Sequence, residues 1–290
     1  MKIEDAWYLQ RQWSAVATRV GATLARWRAI SLGLILAGSV LGALAAQSNW
    51  FSATATVWLG AVGGVALAFA ALVQGRLLTA EKARGRVGTR AGSEALKGIV
   101  YQYLARVAPF DGPDRDRQLS LKVTEMERLA ADFAPMVIGA RAANGALPQI
   151  DGVHDYVSLR AEEQRNWHQR RAAERRNLAG RWRIAELSAT AAAATLAALG
   201  GVLHGPNVSA WVAVATTAGA AIGSHLASEQ HDRIADAYAR TVLALDAVLR
   251  DFDPTTATED AAGTLVVLVE SILAEQNNSW VSLFSTKSGE

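Results

Sequence analysis

Two stretches of the chain, Ala29 to Gly75 and Leu187 to Ser228, contain no Asp, Glu, Lys or Arg, and arginines gather near their ends. A formal charge at the centre of a bilayer costs ~2.5–3.5 kcal/mol on the insertion scale, so lipid selects for long tracts without charge. A helical crossing needs roughly 20 apolar residues, and each tract has room for two crossings joined by a turn. The layout predicts two membrane hairpins, with crossings at about 30–46, 53–73, 187–203 and 208–222. Short polar breaks mark the turns, Gln47-Ser48-Asn49-Trp50 in the first tract and His204-Gly205-Pro206-Asn207 in the second.

Composition narrows the class further. With 51% hydrophobic and 19% charged residues, the chain lies between a soluble domain and a transporter, as a few membrane helices joined to polar helices would average. The net charge of +2 hides segregation: bases cluster around the apolar tracts, while acids concentrate from Asp111 to Asp132 and after Asp246. Cysteine is absent, which removes disulfides, thiolate nucleophiles and cysteine metal sites and suits a reducing cytoplasm. Alanine and leucine dominate and proline is scarce, so an all-α protein with almost no β-structure is expected. Charges and three tryptophans precede the first apolar run. No secretory signal is therefore expected, and the first hydrophobic segment would direct insertion.

Basic residues orient the hairpins. Arg26 and Arg28 precede the first; Arg76, Lys82, Arg84 and Arg86 follow it; Arg175, Arg176, Arg181 and Arg183 precede the second; neither turn has a Lys or Arg. The positive-inside rule then predicts a multi-pass inner-membrane protein with its polar segments and both termini in the cytoplasm. Trp27, Trp50, Trp58, Trp182 and Trp211 lie near tract ends and read as interface anchors or as interhelical packing. The third crossing is mostly alanine and threonine, so its insertion is expected to rely on a bundle. Glycines 33, 38, 42, 60, 63, 64, 219 and 223 offer close helix approach.

The order of features repeats. Trp13 and Trp27-Arg28 lead into the first tract as Trp167 and Trp182-Arg183 lead into the second, and Trp58 and Trp211 hold corresponding places. This suggests duplicated units at 1–145 and 153–290, joined by a linker at 146–152. From Gln74 no strong breaker occurs before Pro109, so the second crossing is expected to continue as one long helix. Apolar positions then recur at helical spacing: Val87, Ala91, Ala95, Ile99 and Tyr103; Leu119, Val123, Met126, Ala130, Phe133 and Val137; Ile234, Tyr238, Thr241, Leu245, Val248 and Phe252; Leu265, Leu268, Ile272 and Leu273.

Site chemistry is sparse. There is no nucleophile elbow, phosphate loop, dinucleotide fingerprint or carboxylate pair in an apolar context, so neither an enzyme nor a bound cofactor is expected. His225 and Glu229 sit four apart and could begin a zinc site, although such pairs more often hydrogen-bond between helices. The stretch from Arg160 to Arg183 holds eight arginines against three glutamates. Arg170, Arg171, Arg175, Arg176, Arg181 and Arg183 are its candidates for contact with anionic headgroups, worth ~1 kcal/mol each, or with a signal molecule; ion pairing between helices is the plainer alternative. Ser31, Ser39, Thr54, Thr190, Thr195, Thr216 and Thr217 are the candidates for lining a pore, or for interhelical and backbone hydrogen bonds. With so little intramembrane polarity in one chain, conduction would require a homo-oligomer.

With these residues located, the chain resembles the SLATT family, two-transmembrane effector domains found beside prokaryotic nucleotide-signalling and SLOG genes. The resemblance rests on the tryptophan and arginine helix before each hairpin, Arg90…Ser93-Glu94-Ala95-Leu96-Lys97 after the first, and Ile234…Tyr238…Thr241…Leu245 after the second. Its last element is the Glu270…Ile272-Leu273-Ala274-Glu275…Asn277…Trp280 ending, where Gln276 replaces a second acid that the family would favour. It implies a membrane effector that oligomerises and opens a pore or disrupts the bilayer on an infection or stress signal. Its partners would be the lipid bilayer and a nucleotide-signalling or sensor protein from the same gene neighbourhood, with no nucleic acid expected. A membrane-anchored scaffold that gathers cytosolic partners is the alternative function, and a soluble helical bundle is a third reading.

Overall fold

The computed structural model describes residues 1–47, 49–203 and 206–285, with the backbone alone at 203, 206–207 and 277–285. Ser48, His204 and Gly205, parts of the two expected turns, lie outside the described residues, as do the side chains of Asn277 and Trp280. The fold is all-α, 83% helical, with no strand among the described residues. Its helices are α1 (Ile3–Ala45), α2 (Ala53–Leu77), α3 (Ala80–Leu104), α4 (Arg115–Leu129), α5 (Ala134–Val137), α6 (Val153–Tyr156), α7 (Glu163–Leu203), α8 (Pro206–Glu229), α9 (His231–Arg250) and α10 (Glu259–Ser285). A 3-10 turn, Ala131–Phe133, precedes α5, and a π-helical turn, Val157–Glu162, joins α6 to α7.

The element order recurs: a long helix of 43 residues, an apolar one of 25, a short break and a helix of 25, then 41, 24, a break and 20. Both breaks fall where a single continuous helix was expected or allowed by composition. The first, at Leu78-Thr79, corrects the expectation that the second crossing runs on to Pro109. Leu78 leaves helical geometry at φ −106°, ψ 41° and its N–H reaches back to the Val73 carbonyl. Thr79 then stands where a helix prefers a hydroxyl cap, and Glu81 favours the positive end of the new helix dipole. The second break is Gln230, held at φ 49°.

Contacts divide the chain into two compact units, one of residues 23–79 and 173–235 and the other of 1–22, 80–172 and 236–290. The first, apolar unit contains the uncharged tracts. Among the described residues, four helices are long and apolar enough to cross a membrane. At 1.5 Å per residue, α2 is about 37 Å long and exceeds the roughly 30 Å of hydrocarbon. Its Val57, Trp58, Val62, Val65, Phe69 and Leu72 are exposed, and no residue in the apolar window of α7 is buried. Water is a poor solvent for such a face, and lipid is a good one.

Each hairpin closes on small residues. Ser31 meets Gln74, Gly38 meets Gly63 and Ala45 meets Gly60, the register of antiparallel α1 and α2. A Cβ on Gly38 would lie 2.9 Å from the Gly63 carbonyl oxygen, and one on Gly63 would lie 3.0 Å from that of Gly38. In the second hairpin Gly219 meets Thr190 and Gly223 meets Glu186, whose carboxylate would lie 2.5 Å from an added Cβ. Added Cβ atoms on Gly33, Gly42 and Gly64 would meet nothing within 4 Å, so these glycines do not serve close approach through their own faces.

The second, polar unit is organised around α3. One core joins Trp13 and Val16 of α1 to Leu96, Val100 and Tyr103 of α3 and Leu119, Val123 and Met126 of α4. Another joins Tyr101 of α3 to Tyr156, Val157 and Ala161, Leu245 of α9, and Leu265, Val266, Val269 and Leu273 of α10. On α3 the buried face differs from the apolar stripe expected: Ala95 is exposed and Val87 and Ala91 are half-buried, while Gly85, Gly88, Thr89, Gly92, Ser93 and Leu96 are buried. The reason is steric. Added Cβ atoms would lie 2.2 Å from the Phe133 ring at Gly88 and 2.7 Å from the Trp13 ring at Gly92, so aromatic side chains occupy the space that glycine leaves. On α10, Leu268 is exposed and Val266 and Val269 take the buried places. The α9 stripe follows expectation, with Ile234, Tyr238, Thr241 and Leu245 buried.

Residues 140–152, which include the expected linker, have no regular structure. Their carbonyls are satisfied by one end of α1: Gln12 Nε2 donates to Ala140, Arg11 Nη1 to Ala143 and Trp7 Nε1 to Ala146, at 2.8, 2.9 and 2.9 Å. Overpacking the glycine face should be costly. Gly88→Leu is expected to destabilise the protein by about 1–3 kcal/mol. Circular-dichroism melts in detergent should show the loss, while Gly112→Ala, with nothing within 4 Å of the new Cβ, should melt like the parent.

Candidate functional site

Charged side chains gather at two places. In the polar unit, Arg160 is 1% exposed and Glu270 4% exposed, so neither charge can be left to water. Arg160 Nε and Nη2 donate to Glu270 Oε1 and Oε2, both at 2.9 Å, and the Tyr156 hydroxyl donates to Oε1 at 2.9 Å. The guanidinium lies 4.6 Å from the centre of the Tyr101 ring, and Tyr101 meets Tyr156 edge to face. Gly98 makes room, since an added Cβ would lie 3.0 Å from Glu270 Oε2. Burial acts against the Arg160 charge, but the Glu270 carboxylate outweighs it and holds the guanidinium protonated. The Tyr156 hydroxyl is driven far above its usual range, by burial first and by Glu270 second. Arg160 Nη1 is buried with no hydrogen-bond partner among the described residues.

Nearby, burial disfavours the Glu94 charge, but Lys97, Arg160 and Arg90 together outweigh it and hold the carboxyl below its usual value. Burial lowers Lys97. His168 lies on the same face of the polar unit as Trp167 and Tyr238, with Nδ1 2.6 Å from the Gln164 carbonyl and Nε2 3.0 Å from Gln276. Burial favours its neutral ring.

The second gathering is in the apolar unit. Arg28 Nη1 pairs with Glu229 Oε1 at 2.5 Å, Arg175 lies 3.8 Å from Glu229 Oε2 and 3.0 Å from His231, and Arg183 pairs with Asp232 at 2.7 Å. A cavity of about 250 Å³ lies beside Arg28, lined by polar Ser31, Gln74, Ser224, His225 and Ser228 and by apolar Leu32, Ile35, Leu78 and Ala221. The His225 ring meets that of Trp182 at a tilt of 58°, with centroids 4.7 Å apart. Glu229 thus faces arginine and His225 faces tryptophan, and no group of three or more metal-binding side chains occurs among the described residues.

Of the polar residues named from sequence, Ser31 is buried and lines this cavity. Ser39, Thr190, Thr195 and Thr216 donate to carbonyls of their own helices, at Leu36, Glu186, Ala191 and Val212. Thr54 is exposed and Thr217 half-buried. Among the tryptophans, Trp50 and Trp58 are 60% and 67% exposed, as anchors in a headgroup layer require, while Trp27, Trp182 and Trp211 are half-buried. The basic stretch divides: Arg171 lies over the Trp167 ring, Arg175 and Arg183 are in ion pairs, and Arg170, Arg176 and Arg181 are exposed. Sequence reading missed the Arg160–Glu270 pair. Its signal was a lone acid, Glu270, inside the apolar run from Leu265 to Leu273.

Breaking the buried pair from one side should be more damaging than removing it. Arg160→Met leaves Glu270 charged and unpartnered and should cost about 3–5 kcal/mol, whereas Arg160→Met with Glu270→Met should recover most of that loss. Denaturant titration of the three proteins in one detergent checks the order.

Comparison with known families places this geometry. Residues 156–280 match the SMODS and SLOG-associating 2TM effector domain 1, and residues 11–118 match a family described as a protein of unknown function, DUF4231. No curated protein and no solved structure matches the chain. The second match begins at Tyr156 of the buried ion-pair network and takes in all of the second hairpin. The chain is therefore similar over residues 156–280 to a SMODS and SLOG-associating two-transmembrane effector domain, and over residues 11–118 to the DUF4231 family.

Proposed function

We propose that this protein is the membrane-acting effector of a prokaryotic defence or stress-signalling system, and that on activation it oligomerises and permeabilises the inner membrane, arresting or killing the cell. The observation that carries the reading is the pairing of uncharged helices at backbone distance, at Gly38 and Gly63, within a unit whose outer face is apolar. The effector-domain match supplies the class of action. The chain reads as two tandem units, 1–145 and 153–290, and the repeated order of helix lengths and breaks supports that reading.

Orientation follows from charge. Arginines at the tract ends hold the polar segments and both termini on the cytoplasmic side, where Arg170, Arg176 and Arg181 meet anionic headgroups. Trp50 and Trp58 sit in the opposite headgroup layer. The threonines that bond to their own carbonyls present little polarity to a neighbour, so one chain offers no wet path and a pore needs several copies. The activating partner is a nucleotide-signalling or sensor protein encoded nearby, and nucleic acid is not a ligand.

Expression in cells loaded with a potential-sensitive dye tests this function. Depolarisation within minutes of induction is expected, together with retention of the protein in carbonate-washed membranes. Protein that stays in the membrane while the potential holds, with or without the neighbouring genes, would favour a membrane-anchored scaffold instead. Release by carbonate would remove the membrane assignment altogether.

A further inference from the structure

The cavity in the apolar unit is not used by the function proposed above, and its lining is divided chemically. Apolar Leu32, Ile35, Leu78 and Ala221 line it together with polar Arg28, Ser31, Gln74, Ser224, His225 and Ser228. It lies where charge disappears from the chain: Arg28 is the last charged residue before the first tract and Glu229 the first after the second. On the membrane reading, which this inference takes over, that level is the headgroup layer.

The polar residues suit an anion. Arg28 brings a guanidinium to the lining, and behind it Glu229, which does not line the cavity, is shared between Arg28 and Arg175. Glu229 engages Arg28 through Nη1, and a guanidinium has five N–H donors in all. Ser31 is buried and accepts from Gln74 Nε2 at 3.1 Å, which leaves its own O–H to donate. Phosphate oxygens accept from guanidinium and hydroxyl donors together, and charge-assisted bonds of this kind are the strong ones. Basic pockets between membrane helices recognise lipid headgroups by this chemistry.

The apolar part of the lining decides between a soluble and a lipid phosphate. A volume of about 250 Å³ is below that of pockets enclosing a whole drug-sized ligand. It holds a phosphate with the adjoining glycerol carbons, and Leu32 and Ile35 continue the wall toward the hydrocarbon where acyl chains would lie. We infer that the cavity bounded by Arg28, Ser31, Gln74, Ser224 and His225 is a binding site for the phosphate of an anionic phospholipid.

Native mass spectrometry of the full chain in detergent tests the site, using dioleoyl phosphatidylglycerol, dioleoyl phosphatidylcholine and inorganic phosphate as probes. One phosphatidylglycerol should be retained in preference to phosphatidylcholine. Arg28→Gln should weaken that retention about tenfold, the equivalent of one charge-assisted hydrogen bond. Because Arg28→Gln also releases Glu229, Ser224→Leu serves as the second variant: it fills the cavity from an exposed position, leaves the ion pair intact and should abolish selective retention. Arg117→Gln, at an exposed position of α4 in the polar unit, should bind like the parent. Equal retention of the two lipids, or selective retention surviving Ser224→Leu, overturns the site. Displacement of the lipid by millimolar inorganic phosphate overturns the lipid as occupant in favour of a free anion. Carbonate extraction separates the two levels: release from membranes defeats the membrane reading, whereas retention without lipid selectivity defeats this inference alone.

Discussion

Everything in the apolar unit depends on hydrogen-bond closure of the backbone. Where no charged side chain is present for stretches of this length and the outer face is apolar, each peptide N–H and C=O must be satisfied inside its own helix. Helices α1, α2, α7 and α8 meet that demand, and even the side chains follow it, since Ser39, Thr190, Thr195 and Thr216 donate to carbonyls of the helix that carries them. Gln74 Nε2 donates to Ser31 across α1 and α2, and beyond that bond the association of the hairpin relies on surface fit. Glycine then determines where helices meet, and Gly38 with Gly63 gives a contact that no larger residue could enter without displacing backbone.

The polar unit solves a different problem. Its helices can use water on one side, so apolar stripes and aromatic rings organise it, and one charged pair is buried outright. Such a pair adds little net stability against an apolar replacement, because desolvation offsets most of its attraction. What it supplies is a unique register: α10 can dock only where Glu270 finds Arg160 and Tyr156 together. Tyr156 and Arg160 stand at the start of the segment matched to the effector domain, and Glu270 lies near its end.

The four apolar helices were legible because lipid imposes a rule on composition that survives in the primary structure, and the stripe on α9 was legible because its buried positions are apolar and periodic. Other features escaped for physical reasons. Glycine counts as neither apolar nor polar, so the buried face of α3 at Gly85, Gly88 and Gly92 was hidden, although Met136, Phe133 and Trp13 fill it. The break at Leu78-Thr79 has no Pro or Gly, and only the capping preference of Thr79 announces it. The partners Arg160 and Glu270 are 110 residues apart and sequence spacing carries no trace of their meeting. For the same reason the cavity was not foreseen, since Ser31, Gln74 and Ser224 come from three helices.

The π-helical turn at Val157–Glu162 has a consequence for how this chain can vary in length. A π turn accommodates one residue more than an α turn, and such turns persist mostly where they position something. Here Tyr156 stands just before it and Arg160 inside it, and both reach the same carboxylate. Deleting even an exposed residue such as Ser158 would rotate Tyr156 by about 100° about the helix axis relative to Arg160. The two donors would then point to different sides, and Glu270 would keep only one of them. Related sequences should therefore tolerate insertions in the irregular segment 140–152, where single side chains hold single carbonyls, and preserve residue count between Tyr156 and Arg160.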